Sequence, residues 1–305
     1  MSSPKLSRRK RGWLEIAYGR SSGAPRQPMA SNSFMAPVAG VGPDGVVSLR
    51  SMVNSVDQVV QSGAGTGKVF LTAEWRYLVM LNYEVEPDLL LPDVPPGAEL
   101  DFYDGTTFLS VVGFMFLNTR VLGLPIPMHR NFEEINLRFY LRRRRPEGYR
   151  RGVSFVKEIV PRRAIAAIAR RRYNENYVCL PMEHRIDIHE TGDTPCEVEY
   201  RWRYRGDWNA VGAAVKSQSQ EMIAGSLDEF IAEHYWGYTA QADGGTVEYR
   251  VEHPRWKIWR AERSWLNCDV AGFYGAKYAQ PLEGRPVSAF VADGSRISVY
   301  KGTRI

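Results

Sequence analysis

Cysteine, histidine and long apolar runs are all scarce in this sequence. Only three of the 305 residues are cysteine and five are histidine, and neither type shows the paired spacing of a zinc site. No disulfide framework is expected, which favours a reducing, cytoplasmic location. The longest apolar stretch, Phe108 to Leu117, is interrupted by Ser110 and Gly113 and is too short to cross a bilayer. We therefore expect a cytoplasmic protein with no membrane partner, no metal and no cofactor.

The basic excess of the chain lies in its N-terminal part. The formal net charge is +6, and the nine basic and three acidic residues within 1–68 account for all of it, so residues 69–305 are neutral overall. A neutral body with a basic arm does not predict a groove that tracks phosphates, and nucleic acid is not an expected partner. Most tryptophans and tyrosines of the body alternate with charged residues, which is typical of a β core.

The composition divides the chain into three regions. Residues 1–45 are rich in Ser, Gly, Pro and Arg without hydrophobic periodicity, which predicts a disordered basic arm. Residues 46–68 begin with apolar residues at helical spacing, which predict an amphipathic helix, and end in a glycine-rich linker. The linker segment 63–68 imitates a phosphate loop but lacks the first glycine, the final Ser or Thr and the preceding strand. Residues 69–305 are predicted to form a single domain.

This domain has the period-two alternation of strands. The alternation is clear in the segments Phe70 to Val85, Ile135 to Arg142, Cys196 to Arg205 and Val247 to Val251. At least eight strands are indicated, which favours one mostly antiparallel β domain that is closed or nearly closed.

Turn and helix signals punctuate these strands. Asp104-Gly105 predicts a tight hairpin, Arg145 to Gly148 a turn, and Asp293-Gly294 a turn between two final strands. Residues 162–173 are rich in Ala and Ile and predict one short helix. A second helix is predicted over residues 227–236, because Ser226 and Glu229 form a capping box.

The most informative strand follows His129. Alternation places Glu134, Asn136, Arg138 and Tyr140 on one face, with apolar residues on the other. If the apolar face packs against a second layer, the polar face meets solvent and has no function. If the sheet curls into a barrel, the same face lines a lumen where a carboxylate, an amide and a guanidinium form a ligand site. Spacing alone leaves both interpretations open.

Charge is segregated along the domain, since residues 138–172 are strongly basic and residues 69–137 are mainly acidic. Acidic and basic strands that pair across one sheet would explain this. The alternative is an anion site near Arg138, Arg150 or Arg151.

The histidines offer little by themselves. His129 lies next to the polar strand and is either a rim contact for a ligand or an ordinary loop residue. The other four fall into two groups, solvated (His184, His189) and packed (His234, His253).

Six segments of the body occur in a specific order: Phe70–Arg76, Glu99–Asp101, Pro127–Tyr140, Arg151–Phe155, Phe230–Tyr235 and His253–Trp256. With them the chain resembles the YqjF-like family of uncharacterised bacterial proteins, which is distantly similar to acetoacetate decarboxylase. The resemblance implies a mainly β fold, a cone-like barrel of mostly antiparallel strands with a few short helices around a small pocket.

The decarboxylase comparison also implies site residues. Arg76 stands seven residues before Tyr83, as the active-site arginine does, and Glu134 ends a segment similar to the Tyr-x-Glu of the active-site glutamate. The Schiff-base lysine has no counterpart, because the corresponding segment, residues 174–178, contains no lysine. Lys157, the only lysine between residues 69 and 215, is not placed at that site by alternation. Imine chemistry is therefore not expected.

We expect the domain to bind, or to bind and transform, a small carbonyl- or carboxylate-bearing molecule in the barrel. In the enzyme version, which would perform lyase-like acid–base chemistry, Arg76 and Arg138 hold the anionic group and Glu134 is the general acid or base.

Three further residues, Asn136, Tyr140 and His129, are expected to position the ligand. The alternative is a non-catalytic ligand-binding or structural barrel with the same residues in its lumen. Convergence of Arg76 and Glu134 on one enclosed pocket with Arg138 would favour the ligand site.

Overall fold

The computed structural model describes residues 67–125, 129–161, 176–189, 196–216 and 218–305. The predicted arm at 1–45, the predicted helices at 46–60 and 162–173, and the linker up to residue 66 lie outside these ranges. No helix within them is both long enough and apolar enough to cross a membrane.

The described part of the chain is built mainly of strands. In chain order they are β1 (Val69–Val85), β2 (Glu99–Leu100), β3 (Thr107–Val121), β4 (Leu124–Pro125), β5 (Phe132–Arg145), β6 (Gly148–Val160), β7 (Tyr177–Cys179), β8 (Met182–Asp187), β9 (Cys196–Tyr204), β10 (Asp207–Val215), β11 (Gln220–Glu221), β12 (Trp236–Ala240), β13 (Thr246–Glu252), β14 (Lys257–Asn267), β15 (Ser288–Tyr300) and β16 (Thr303–Arg304). The α-helices are α1 (Pro87–Leu90), α2 (Leu227–Ala232), α3 (Val270–Phe273) and α4 (Ala279–Glu283), with 3₁₀ turns at Leu91–Asp93 and Ala276–Tyr278.

Seven of the strands close into a ring, in the order β1, β3, β5, β6, β12, β13 and β15. The last pairing, between β13 and β15, joins Val251 to Val299 and completes the barrel. Every pairing around the ring is antiparallel except that of β6 with β12, where Gly152 faces Trp236. Glycine is required at that point, because a Cβ on Gly152 would lie 2.4 Å from the Trp236 carbonyl oxygen. The prediction of a closed, mostly antiparallel barrel is confirmed.

A second layer continues from β15 through β14, β10, β9 and β8. It covers the outer side of the barrel wall, and the two layers share an outer cluster that includes Val79, Leu81, Val111, Leu137, Tyr200, Trp202 and Val211. The layers approach closely at Gly113 of β3, where a Cβ would lie 2.8 Å from the Tyr200 ring. The other side of the wall encloses a lumen cluster that includes Ala73, Leu78, Met80, Phe114, Tyr140, Phe230 and Phe290.

A bulge divides β1 into two halves that alternate differently. The register with β3 shifts between Arg76 and Val79, and Tyr77 has a φ of 55°. Before the bulge the odd-numbered Ala73 and Trp75 contact the lumen cluster, whereas after it the even-numbered Leu78 and Met80 do. The uninterrupted alternation predicted from Phe70 to Val85 is therefore wrong across Arg76, which lies on the opposite face of the strand from Trp75.

The turn and helix signals have mixed outcomes. The hairpin at Asp104-Gly105 and the turn after Arg145 are confirmed. Asp293-Gly294 does not separate two strands, because β15 runs through it and Gly294 pairs with Arg76 beside the β1 bulge.

The predicted N-cap at Ser226 is confirmed, whereas the Glu229 carboxylate accepts from the Gly225 amide at 2.6 Å instead of the Ser226 amide that a capping box requires. The Glu229 amide donates to the Ser226 hydroxyl at 3.3 Å, and the helix ends at Ala232, earlier than predicted. Phe230 and Ile231 of this helix pack in the lumen cluster.

Candidate functional site in the barrel lumen

A cavity of about 150 Å³ lies in the barrel lumen. A cavity of this volume can hold a molecule about as large as benzene. Its walls are mostly aromatic and aliphatic, and they include Phe70, Trp75, Phe116, Phe132, Phe155, Tyr177, Trp236, Tyr249 and Trp256. Apart from two tyrosines, the ionisable residues of the lining are Glu134, Arg138, Glu158, His234 and His253. An apolar pocket with a few polar groups is the usual form of a small-molecule site.

The polar face of β5 points into this lumen. Glu134, Asn136 and Tyr140 are at most 3% exposed, so the interpretation of the face as a solvent surface is wrong. Glu134 lines the cavity and accepts hydrogen bonds from Asn136 Nδ2 at 3.3 Å and from the Tyr177 hydroxyl at 3.2 Å. Asn136 is not among the lining residues, and the contact it makes is with the Glu134 carboxylate.

Arg138 brings a guanidinium to the cavity. Its Nη2 donates to the Ile231 carbonyl oxygen at 3.3 Å. Its Nε is buried and has no acceptor within the part of the chain that the structure describes, and the same is true of Trp75 Nε1. Two lining residues thus carry N–H groups that no described residue satisfies, which is uncommon in folded proteins.

Arg76 does not line the cavity, which corrects the expectation that it would converge there with Glu134 and Arg138. Its guanidinium donates to Glu74 at 2.9 and 3.2 Å and to the Gly294 carbonyl oxygen at 3.3 Å. The hydrogen bond from Arg76 holds the pKa of the Glu74 carboxyl below its usual value, with help from Asn118. The physical reason for the correction is the bulge after Arg76, which changes which residues of β1 face the lumen.

Tyr140 and His129 are also absent from the lining residues. The Tyr140 hydroxyl lies 2.6 Å from the Ser110 hydroxyl, which donates to the Asn82 amide oxygen at 2.6 Å. The Tyr140 hydroxyl is thus engaged within the protein. His129 stands at the start of its described segment and is half-buried.

Acidic partners account for several arginines on the described strands β5 and β6 of the basic segment. Arg143 and Arg150 both pair with the buried Glu248, and Arg142 pairs with Glu99 at 2.7 Å. These contacts match the interpretation in which acidic and basic strands neutralise each other. Of the three arginines considered for an anion site, Arg138 is the one that lines the cavity.

Lys157 lies on the other side of β6. The register between β5 and β6 shifts at Val156, and this extra residue turns Glu158 into the cavity and Lys157 towards the outer cluster. There the Lys157 ammonium donates to the Phe273 carbonyl oxygen and lies over the Phe273 ring. Burial lowers the pKa of Lys157. Among the described residues that line the cavity there is no lysine.

His234 was predicted to be a packing residue, but it lines the cavity and has polar partners. Its Nε2 lies 3.2 Å from Asp101 Oδ2, and Arg151 Nε donates to the same oxygen at 2.6 Å. Burial lowers the pKa of His234 to about 4, against the opposing effect of Asp101. Burial opposes the ionisation of Asp101, but the hydrogen bonds from His234 and Arg151 hold its pKa below the usual value.

His253 lies in the same wall. Its ring stacks on Trp256 with centroids 4.1 Å apart, and its Nδ1 donates to the Pro254 carbonyl oxygen at 2.9 Å. Burial lowers its pKa to about 4 as well. The sequence signal for both histidines is weak, since the contact between His234 and Asp101 joins residues 133 positions apart.

Comparisons with known proteins match this architecture. The enduracididine biosynthesis enzyme MppR complexed with pyruvate superposes with a TM-score of 0.56 at 12% identity, over 80% of this chain and 93% of that one. Acetoacetate decarboxylase from Legionella pneumophila gives a TM-score of 0.54 at 13% identity, over 79% and 90% of the two chains. At these identities the likeness shows the fold alone, and it confirms the predicted acetoacetate-decarboxylase-like barrel.

Sequence comparison identifies the family of the chain. The uncharacterized protein YqjF of Bacillus subtilis (strain 168) is 29% identical over 192 residues, which is 62% of this chain and 74% of that protein. The family model DUF2071, described as an uncharacterized conserved protein, matches residues 72–296. Since this match covers most of the chain, the protein belongs to the DUF2071 family, as the resemblance to YqjF-like proteins predicted.

Proposed function

We propose that the lumen cavity binds a small molecule that carries a carboxylate or carbonyl group. One observation carries the proposal: two buried N–H donors on lining residues, Arg138 Nε and Trp75 Nε1, have no acceptor among the described residues. A buried donor without an acceptor costs about 1–3 kcal/mol. A ligand that presents oxygen acceptors to these two groups would recover that cost.

The cavity lining carries the Glu134 and Glu158 carboxylates as well as Arg138, and the Arg138 guanidinium is the group that would hold an anion. A guanidinium stays protonated at every physiological pH and matches the planar geometry of a carboxylate. Its other described contacts are the Ile231 carbonyl oxygen, the Tyr140 ring and, at 3.9 Å, the Met80 sulfur, so no described acceptor competes with a ligand for the Nε hydrogen. The aromatic walls supply apolar surface for a short carbon chain.

The neighbouring structures suggest probes for this site. One of them is complexed with pyruvate and others are acetoacetate decarboxylases. Pyruvate contains both a carboxylate and a ketone, and its few heavy atoms suit the volume of the cavity.

Catalysis is the second candidate, and Glu134 is the observation in its favour. This carboxylate lines the same cavity as Arg138 and is held by Asn136 and Tyr177, as a general acid or base would need to be. The missing lysine argues against an imine mechanism. We therefore infer that the protein binds a carboxylate ligand. Conversion of that ligand by the protein would be the evidence for an acid–base enzyme.

We also infer a cytoplasmic location. Cys179, Cys196 and Cys268 are all free thiols, which suits a reducing compartment.

A thermal-shift panel tests the binding proposal. Acetate and pyruvate are compared with acetone and with ethylammonium, on the wild-type chain, Arg138→Met and the control Arg76→Met. A ligand that binds only the folded state raises the melting temperature in proportion to its occupancy. We expect the two carboxylates to stabilise wild type and Arg76→Met but not Arg138→Met. An equal response of Arg138→Met, or a response to ethylammonium alone, would contradict the proposal.

A time course of the pyruvate and acetoacetate proton NMR signals in the presence of the protein separates the two candidates. Unchanged signals support binding alone, whereas conversion that Glu134→Gln abolishes supports the enzyme.

A further inference from the structure

Asp101 and His234 form a buried pair behind the cavity wall. Their side chains are only 4% and 1% exposed, and Asp101 Oδ2 lies 3.2 Å from His234 Nε2. His234 lines the cavity, whereas Asp101 and Arg151 do not. The Nε2 atom of the ring is thus turned to Asp101, and the ring packs against the aromatic side chains of Tyr140 and Phe230.

The contacts of Asp101 fix the tautomer of His234. Asp101 accepts hydrogen bonds from Arg151 Nε at 2.6 Å and from the Phe102 amide at 3.0 Å, so it is a carboxylate and cannot donate. The hydrogen between Asp101 and the imidazole must therefore belong to His234 Nε2. Since burial keeps this ring neutral, Nδ1 carries a lone pair and is a hydrogen-bond acceptor.

That acceptor is buried and has no partner among the residues that the structure describes. The neighbours of the ring are apolar surfaces, with the Tyr140 and Phe230 ring centroids at 4.8 and 5.1 Å. Tyr140 does not supply a donor, because its hydroxyl is engaged with Ser110.

Arg138 lies close to this histidine. Its Nη2 donates to the carbonyl oxygen of Ile231, three residues before His234, and its positive charge acts on the imidazole. The lining of one cavity therefore holds a cationic donor, Arg138 Nε, and near it a neutral acceptor, His234 Nδ1. Neither atom has a partner among the described residues.

We propose that His234 Nδ1 accepts a hydrogen bond from the ligand, and that the ligand class of this cavity is therefore a short hydroxy acid. Its carboxylate binds Arg138, and its hydroxyl donates to Nδ1. This inference rests on the proposed carboxylate site and adds a specificity-determining residue to it. Sites that hydrogen-bond a ligand hydroxyl discriminate strongly against analogues without it, since the buried protein group is then left without a partner.

Two matched pairs of acids test this inference. Glycolate and acetate differ by one hydroxyl, as do lactate and propionate, and their affinities are measured by calorimetric titration for wild type and His234→Phe. We expect each hydroxy acid to bind wild type about tenfold more tightly than its partner. In His234→Phe this ratio should fall to near one, because the hydroxyl of glycolate or lactate then has no acceptor at that position.

The two proposals fail in different ways. If all four acids bind wild type with ratios near one, the hydroxyl acceptor is overturned and the carboxylate site stands. If none of the four binds, the carboxylate site is itself overturned, and this inference with it.

A spectroscopic measurement on the wild-type chain covers the case in which His234→Phe does not fold. In the imidazole ¹⁵N spectrum, His234 should show a protonated Nε2 and an unprotonated Nδ1. Glycolate should shift the Nδ1 resonance more than acetate does. A protonated Nδ1, or equal shifts from both acids, would overturn the assignment, because a purely structural histidine would not distinguish the two acids.

Discussion

Arg76 and Glu74 form an ion pair within one strand, with Arg76 Nη2 2.9 Å from Glu74 Oε2 and about a third of the arginine side chain exposed. The arginine that the family comparison would place in the active site is thus engaged on the outer side of the barrel wall. Glu134, which was expected to converge with it on one pocket, lines the cavity and accepts hydrogen bonds from Asn136 and Tyr177.

The first prediction is that Arg76 and Glu134 are energetically independent. Arg76→Met should cost about 0–1 kcal/mol, because its ion pair is partly exposed. Glu134→Gln should cost about 1–3 kcal/mol, because its new amide group faces the donors of Asn136 and Tyr177. In chemical denaturation the double variant should equal the sum of the two within about 0.5 kcal/mol. A larger coupling free energy would mean that the two side chains interact directly.

The second prediction concerns closure of the barrel at Gly152. Gly152→Ala should lower the free energy of unfolding by about 3 kcal/mol, because the new Cβ would lie 2.4 Å from the Trp236 carbonyl oxygen and 2.7 Å from the Tyr238 ring. Gly284→Ala is the control, since its Cβ would meet only the Pro281 carbonyl oxygen at 3.8 Å. Equal stability of the two variants in a urea titration would argue against the β6–β12 junction.

The third prediction is a loss of stability in mild acid. His234 and His253 have pKa values of about 4 in the folded chain, below the value of about 6.5 in an unfolded one. Between these values the unfolded chain binds protons that the folded chain does not, so stability falls as the pH is lowered from about 6.5 to 4. Above pH 6.5 neither histidine contributes to the pH dependence.

Unfolding titrations between pH 7 and pH 5 measure this effect. Each histidine should account for about 2 kcal/mol of the loss at pH 5, and His234→Phe with His253→Asn should remove most of it. Asp101 does not affect the stability change between pH 7 and pH 5. Its pKa is lowered in the folded chain, so the stability that its ionised form contributes is lost only at more acidic pH. A wild-type stability that is flat over this range would show that the two rings are not buried as described.

The fourth prediction is that the protein forms no imine with a keto acid. Lys157 faces the outer cluster, so borohydride in the presence of pyruvate should leave no covalent adduct on it in the mass spectrum. Lys157→Arg should accordingly leave pyruvate binding unchanged. A pyruvate-dependent adduct on Lys157 would require the bulge in β6 to be absent in solution.

Much of the fold could be predicted because it depends on local patterns. Alternation along β5 put Glu134 and Arg138 on one face, and the strand keeps that alternation throughout. Ser226 could be predicted as the N-cap of α2 for the same reason, since its hydroxyl and the Glu229 amide lie within one helical turn.

The parts that could not be predicted depend on bulges and on long-range contacts. One extra residue in β1 turned Arg76 outward, and one extra residue in β6 placed Glu158 rather than Lys157 in the cavity. A shift of one residue reverses every later side chain of a strand, and alternation alone does not reveal where it occurs. His234 became a site residue through Asp101, which is 133 positions away.

The most direct test of the carboxylate site is a ¹H–¹⁵N NMR titration that observes the Trp75 indole N–H and the Arg138 Nε–H, assigned with Trp75→Phe and Arg138→Lys. These are the two donors that have no acceptor among the described residues. The proposal predicts that acetate or pyruvate shifts both resonances in a saturable way, because the ligand oxygens become their hydrogen-bond acceptors. Saturable binding that leaves both resonances unchanged, or no saturable shift with either acid, would contradict it.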